Sequence, residues 1–401
     1  MTTPIPRLPV LDWDSFAGEA TSGTPCLLDH AETRFTTSGR AAILLALEMM
    51  GIGPGDRVLL PTYHCPTMVA PVVARGAEPL FYPIDATGAP QLDWLKRADI
   101  EGVRVLLAAH FFGLPQPMAE LRRWCDERGI RLIEDCAHAL FGRTEGRAIG
   151  RWGDLAIASL TKFLPVPEGG CLVNNAVTAA LPVLHGPGGV AQLKAAFDII
   201  HNGVNHGRLR GLRTLIDGAL GAVRRLRGKP AAPPALAAAH AVAHADGFSI
   251  DPAYSHLALG GASRWIAQRL PRERILQRRR ACYRTLSQGL SGLPGLRPLR
   301  PLLPEDCAPY VFPLWVETPD PGYQALRKLG FPVSRWDQRW PTIPDIANDQ
   351  GPLWSHHILQ IACHQDLSEP ELQRMLTLIK QIYATPFVGT ASANLTTSAA
   401  A

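Results

Sequence analysis

Lysine is scarce in this chain: six occur among 401 residues, against 34 arginines. Apolar runs of 18 or more residues are missing, which excludes a membrane-spanning helix of ordinary length. The start, Met1-Thr2-Thr3-Pro4-Ile5-Pro6-Arg7, lacks an apolar signal core, so a cytoplasmic protein is expected. The eight cysteines are scattered with no Cys-x-x-Cys pair, which argues for a reducing compartment and against structural zinc. Cys136 and Cys171 fall in strand-like runs and read as small core residues. His356 and His357 are adjacent, and neighbours on a helix do not share a face. No metal site is expected.

What is present is a large α/β chain. A hydrophobic content of 46% supports a substantial core, and the length predicts two domains or one large and one small. Strands are expected near Val58–Leu60, Pro79–Pro83, Val103–Ala109, Arg131–Asp135, Ala156–Leu160 and Cys171–Asn174, alternating with helical patterns. Such alternation implies a mostly parallel sheet covered on both faces. An amphipathic helix over Met118–Arg128 ends at Gly129, a suitable C-cap.

Three segments carry chemistry in combination. Lys162 lies between the strand-like runs Leu155–Leu160 and Cys171–Asn174. A desolvated amine there is a nucleophile able to condense with an aldehyde, although a lysine after a strand is more often a solvated loop residue. Asp135 closes an apolar run where ligands bind in open α/β sheets; alone it reads more readily as a helix cap or a solvated acid. Ser38-Gly39-Arg40 opens a helical pattern whose free N–H groups and dipole would hold a phosphate, though any buried helix can start this way. Lysine for an aldehyde, carboxylate for a ring nitrogen and an anion cradle together describe a pyridoxal 5′-phosphate (PLP) pocket.

The same stretches carry a family resemblance. Ser38-Gly39-Arg40-Ala41-Ala42, Gly51 to Pro61, His110-Phe111-Phe112-Gly113, Ile133 to Ala139, Gly150-Arg151-Trp152-Gly153-Asp154 and Lys162 with Glu168-Gly169-Gly170 occur in order and at fitting spacing. The chain resembles the DegT/StrS sugar-nucleotide aminotransferases of the aspartate aminotransferase-like fold. It does so from about residue 30 to 175, and more weakly at Cys363 to Ser368.

The resemblance implies that Lys162 bonds the cofactor aldehyde and shuttles the proton, with Asp135 keeping the ring nitrogen protonated. His138 would lie beside the ring, while Gly39 and Arg40 would hold the phosphate with help from Ser159. It further implies glutamate as amino donor, a nucleotide-linked keto sugar as acceptor, and a homodimer. The setting would be polysaccharide or secondary-metabolite biosynthesis. Arg40 stands where relatives commonly have Thr. Cys65 takes the place of an aromatic that stacks on the ring, so Cys65, Tyr63 or His64 must cover that face. Ser159 is three residues before Lys162 rather than five. The family's Asn-Tyr-Arg segment, supplied by the neighbouring subunit, has Gly247-Phe248-Ser249 as its nearest counterpart. A dehydratase is disfavoured because such relatives replace the lysine. A non-catalytic regulatory or scaffolding relative, or another PLP-dependent reaction, is the alternative.

Charge is uneven. Residues 206–229 carry Arg208, Arg210, Arg213, Arg224, Arg225, Arg227 and Lys229 against Asp217, a charge of +6 where the whole chain has +5, so the remainder is close to −1. Leu209, Leu212, Ile216, Leu220 and Val223 recur at helical spacing there. This predicted basic amphipathic helix would cover the active site or a subunit contact, touch an anionic membrane surface, or stand solvated; nucleic-acid binding is not expected.

The expected organisation is an arm over 1–34, a large domain over 35–262 whose segment from about 176 is insertion-rich, and a small C-terminal α+β domain over 263–385. A linker is expected at 230–239, a long helix at Arg264–Leu290, a last helix capped by Ser368 and Glu371, and a disordered tail over 386–401.

Overall fold

The computed structural model describes residues 3–18, 23–216, 218, 248–305 and 307–383. A seven-stranded sheet has the order β1-β9-β8-β5-β4-β2-β3. Its strands are β1 Thr33–Thr36, β2 Arg57–Pro61, β3 Glu78–Tyr82, β4 Val103–Ala109, β5 Arg131–Asp135, β8 Leu155–Ser159 and β9 Gly170–Asn174. From β3 across to β8 the strands run parallel; β9 lies antiparallel to both β8 and β1. The six expected strands are all present within a residue of their predicted bounds. In all but β3, whose Leu80 is only half-buried, the central residues are buried, which is why these strands read as continuous apolar runs rather than alternating ones.

Helices α1 Gly39–Met49, α2 Pro66–Ala74, α3 Leu92–Arg97 and α4 Ala119–Glu127 connect these strands. Ser38 caps α1 by accepting from Ala41 N–H at 3.1 Å, and Ala41 to Leu47 are buried without interruption. Gly129 follows α4 at φ +64°, the left-handed conformation a C-cap glycine supplies at no steric cost. The hairpin β6 Arg143–Thr144 and β7 Arg147–Ala148 lies between β5 and β8.

A second sheet, antiparallel throughout, has the order β10-β11-β13-β12. It comprises β10 Leu296–Pro298, β11 Val311–Val316, β12 Val333–Ser334 and β13 Ile358–Ala362. One apolar core joins this sheet to the helices Arg272–Leu290 and Glu369–Tyr383, and Ile5 of the amino-terminal arm is buried in it. The arm then crosses to the large sheet, where Cys26 and Leu27 enter a different core.

Two expectations need correction. The predicted long helix Arg264–Leu290 is two helices, Gly261–Arg269 and Arg272–Leu290. Pro271 has no N–H to continue the ladder and forces Leu270 out of the helical region, to ψ 134°. Leu209 is also not part of a helix: it is buried at φ +50°, after the helix α5 Gly189–Asn205 has ended. The rest of the predicted basic helix beyond residue 218, the linker and the tail lie outside the described residues. The last helix is capped as expected, with Ser368 N–H donating to the Glu371 carboxylate at 2.8 Å. No helix among the described residues is long and apolar enough to cross a membrane.

Candidate active site

β4 ends at Ala109, β5 at Asp135 and β8 at Ser159, all on one edge of the parallel sheet. A cavity of about 290 Å³ opens at these carboxyl ends, lined by Ser38, Gly39, Arg40, Cys65, Asp135, His138, Ser159 and Lys162. Of the residues singled out from the sequence for cofactor contact, all but Tyr63 and His64 therefore face one space. Gly39 is needed there: a Cβ at that position would sit 3.3 Å from Ser159 Cβ and 3.5 Å from the Ala158 carbonyl oxygen.

Lys162 closes a short helical turn, Leu160–Lys162, directly after β8. The loop that carries it is cinched at its base. Leu160 N–H donates to Gly169 O at 2.9 Å, and Gly169 N–H donates to Thr37 O at 2.7 Å. Gly170 then passes so close to the start of α1 that a Cβ would lie 2.3 Å from the Ser38 carbonyl carbon. This contact explains the Glu-Gly-Gly segment after the lysine and ties the lysine loop to the candidate anion cradle.

The electrostatics are those of a shielded pocket. Burial lowers the Lys162 amine below the ordinary 10.5; Asp135 and Cys65 oppose this, and Arg7 reinforces it. Burial raises the Asp135 carboxyl above the ordinary 3.8, with the Ala137 N–H (2.8 Å) and Lys162 pulling the other way. His138 is held well below 6.5 by burial, then by Lys162. Its Nδ1 accepts from Phe112 N–H at 3.2 Å, so the neutral ring carries its proton on Nε2.

Glu134 turns the other way. Its buried carboxylate accepts from His110 Nε2 at 3.0 Å and from the N–H groups of Gly150 (2.7 Å), Trp152 (2.7 Å) and Gly153 (3.2 Å). The acid pair thus divides its work: Asp135 faces the cavity, and Glu134 fastens the turn that leads into β8. His110, Glu134 and Cys136 also bring ligand-type atoms within 4.8 Å of one another. The Glu134 oxygens in that group are already occupied by these four donors.

Of the three residues offered for the ring face, Cys65 lines the cavity and the other two do not. Tyr63 is wholly buried against Phe111, Phe112, Trp336 and Trp354, with its hydroxyl held by Gln360 Nε2 at 3.2 Å. His64 donates to Pro61 O and stacks on Phe81. The aromatic surface of the cavity comes instead from His138, Phe111, Tyr310 and Trp336; the His138 ring lies 4.5 Å from Tyr310 and 5.0 Å from Trp336. Tyr310 enters because Gly113 admits its backbone: a Cβ on Gly113 would come within 2.5 Å of Tyr310 N and Ala308 O.

Residues far along the chain complete the site, and sequence reasoning missed them. Arg7, Tyr310, Trp336 and Gln360 all line the cavity. Arg279 is fully buried behind it and donates to the carbonyl oxygens of Lys162 (2.7 Å), Pro309 (2.8 Å), Tyr310 and Cys363 and to Gln365 Oε1. Gln365 Nε2 in turn donates to Phe163 O at 2.8 Å. The arginine-rich helical pattern and the Cys363-His364-Gln365 motif were visible, but not that they meet.

Arg40 donates through Nη1 to the carbonyl of Ser249, so the 248–249 segment lies beside its own chain's cavity. Arg208 is committed elsewhere, to Glu371 at 2.6 Å and to Asp366 O at 2.7 Å. That arginine of the basic segment is not available to reach a substrate.

Comparison with known proteins bears on the part of the chain that builds most of this arrangement. Residues 28–205 match the model of the DegT/DnrJ/EryC1/StrS aminotransferase family. The chain carries a DegT/DnrJ/EryC1/StrS aminotransferase family domain. This family domain ends with α5, so Arg279, Tyr310 and Trp336 lie beyond it. The chain is 34% identical over 146 residues to dTDP-4-dehydro-2,3,6-trideoxy-D-glucose 4-aminotransferase of Saccharopolyspora spinosa, covering 36% of this chain and 38% of that protein. It is 34% identical over 149 residues to GDP-perosamine synthase of Vibrio cholerae, covering 36% and 40%. The chain thus spans about two fifths of the length of these curated relatives. Over the whole fold, Spr1654 of Streptococcus pneumoniae in its PLP form superposes with a TM-score of 0.62 at 18% identity, covering 95% of this chain and 99% of that one. The fold is the aspartate aminotransferase-like one.

Proposed function

We propose that this chain is a PLP-dependent aminotransferase acting on a nucleotide-linked keto sugar, with glutamate as amino donor, in polysaccharide or secondary-metabolite biosynthesis. The observation that carries the reading is the convergence of Lys162, Asp135 and the first turn of α1 on one cavity. The names of the curated relatives support the substrate class.

The residues present fit the cofactor. The capped first turn of α1, with Gly39, Arg40 and Ser159, suits a phosphate, which a helix N-terminus and a guanidinium both stabilise. Asp135 presents a buried carboxylate with one oxygen fixed by Ala137 N–H, leaving the other for a ring N–H. When bound, pyridoxal phosphate supplies an aldehyde that exchanges amines and a ring that withdraws electrons. With the group bound, Lys162 Nζ would hold its aldehyde and would be the atom that takes up and delivers the donor's proton. Its lowered pKa keeps a share of the amine neutral for this task. His138, neutral and locked by Phe112 N–H, supplies a flat wall rather than a charge. Cys65 adds a small polarisable group to the cavity lining.

The same reading includes a homodimer with sites at the interface and the division into arm, large domain, small domain and tail given above. It also includes a cytoplasmic location; none of the eight cysteines forms a disulfide. The purified protein should show a cofactor absorbance band that shifts when glutamate is added. A protein with no such band, or with a band that glutamate leaves unmoved, would instead fit the non-catalytic alternative.

A further inference from the structure

Arg7 is an exposed cation held in a fixed place. The arm that bears it is pinned on both sides: Ile5 is buried in the small-domain core, the His364 ring donates to Pro6 O at 3.0 Å, and Val10 is 1% exposed. Between these anchors Arg7 reaches the cavity wall, yet it makes no ion pair or hydrogen bond among the described residues. An arm anchored this firmly delivers its one long cation to a single spot.

That spot lies between two chambers. Arg7, Lys162 and Tyr310 line both the cavity described above and a second one of about 350 Å³ on the other side. The second chamber is completed by polar groups including Thr161, Asn202 and His206, and no carboxylate lines it. A cation without a partner, beside an acid-free chamber and next to the reacting amine, calls for an anionic ligand.

We infer that Arg7 binds the α-carboxylate of the amino donor, with the second chamber receiving the remainder of that molecule. The inference rests on the aminotransferase reading. Lys162 must reach the donor's α-carbon to move its proton, and the α-carboxylate is bonded to that carbon. The group that binds it must therefore stand beside Lys162, as Arg7 does. A guanidinium offers the carboxylate two parallel N–H donors. A nucleotide's diphosphate is separated from a keto carbon by the sugar ring and belongs farther from the amine.

The test uses the holoenzyme and two unreactive probes, glutarate for a dicarboxylate and inorganic pyrophosphate for a diphosphate, with dissociation constants from calorimetry. Arg7→Ala should weaken glutarate binding by roughly 10- to 100-fold, the loss expected for charge-assisted hydrogen bonds. Arg7→Lys should recover part of it, because the charge remains and the paired geometry does not. Pyrophosphate affinity, the cofactor band and borohydride tagging of Lys162 should not move. Unchanged glutarate affinity in Arg7→Ala, or a loss confined to pyrophosphate, overturns the assignment. If the wild-type protein shows no cofactor band, the aminotransferase reading fails instead, a result read from absorbance and not from the glutarate affinities of the two proteins.

Discussion

Arg279 donates from Nη2 to the main-chain carbonyl of Lys162 at 2.7 Å, across 117 residues of sequence. The guanidinium is wholly buried and faces carbonyl oxygens and an amide rather than a carboxylate; burial lowers its pKa to about 10. With Gln365 on Phe163 O, it clamps two consecutive peptides of the lysine loop from the small-domain side. The backbone of Lys162 is thus tied into the structure while its amine faces the cavity.

Arg279→Met should accordingly be one of the more damaging substitutions. It strands several buried acceptors at once, and breaking a buried polar network of this kind costs on the order of 3–5 kcal/mol. Urea unfolding midpoints should fall, and turnover should fall with them because the lysine loop loses its brace. A midpoint within error of wild type would show that the clamp contributes nothing.

Lys162→Ala should behave in the opposite way. The carbonyl that Arg279 grips is retained, and the lost side chain is only half-buried, so the unfolding midpoint should shift little. Borohydride reduction followed by peptide mapping should tag Lys162 in the wild type and no residue in the variant. A tag on another of the six lysines would contradict its assignment as the nucleophile.

Asp135→Asn should still bind cofactor but lose turnover by at least ~10²-fold, the scale on which preorganised electrostatic groups act. The carboxylate, not its shape, is what holds a proton on the ring nitrogen. Turnover close to wild type in this variant would remove Asp135 from the mechanism.

Stability should fall toward acid in two stages. His64 is held down to about 4 and His364 to about 3, both by burial. Below the ordinary 6.5 the unfolded chain takes up protons that these folded rings refuse. Each then erodes stability by about 1.4 kcal/mol per pH unit until its folded value is reached. Glu134 adds a later loss. Burial alone would raise its carboxyl, but the His110 hydrogen bond and charge and the Gly150 and Trp152 amides outweigh it, and the net shift is downward from 4.5. A group with a depressed folded value stabilises above its unfolded value and stops doing so as pH drops through the folded one. Urea midpoints measured between pH 7 and 4 should therefore decline from about 6.5 downward. Glu134→Gln should lower the midpoint at pH 7 and flatten only the lowest part of the curve. A profile flat from pH 7 to 4 would contradict both histidine assignments.

Much of this site could be read in the sequence because it lies at strand ends, where a contiguous motif and its spatial role coincide. Ser38-Gly39-Arg40, Asp135, His138 and Lys162 each follow or open a regular element. What escaped were residues whose role arises only on folding. Arg7, Tyr310 and Trp336 occupy an irregular arm or loops, with no periodicity to mark them. Tyr63 looked like a ring-stacking candidate, but its side chain completes an aromatic core, and only packing against Trp336 and Trp354 shows this. Arg208 looked like a free cation until Glu371, 163 residues away, took it. The predicted helix through Arg264–Leu290 failed for a local reason that was in view, namely Pro271.

The approach of Gly170 to Ser38 has one more consequence. Because no side chain fits between them, the first turn of α1 and the loop bearing Lys162 shift as a single piece. The separation between the anion cradle and the amine then behaves as a gauge of set length. A molecule with its phosphate and aldehyde spaced differently could satisfy one end but not both. Enlarging Gly170 would spoil that measurement before it touched any reacting group.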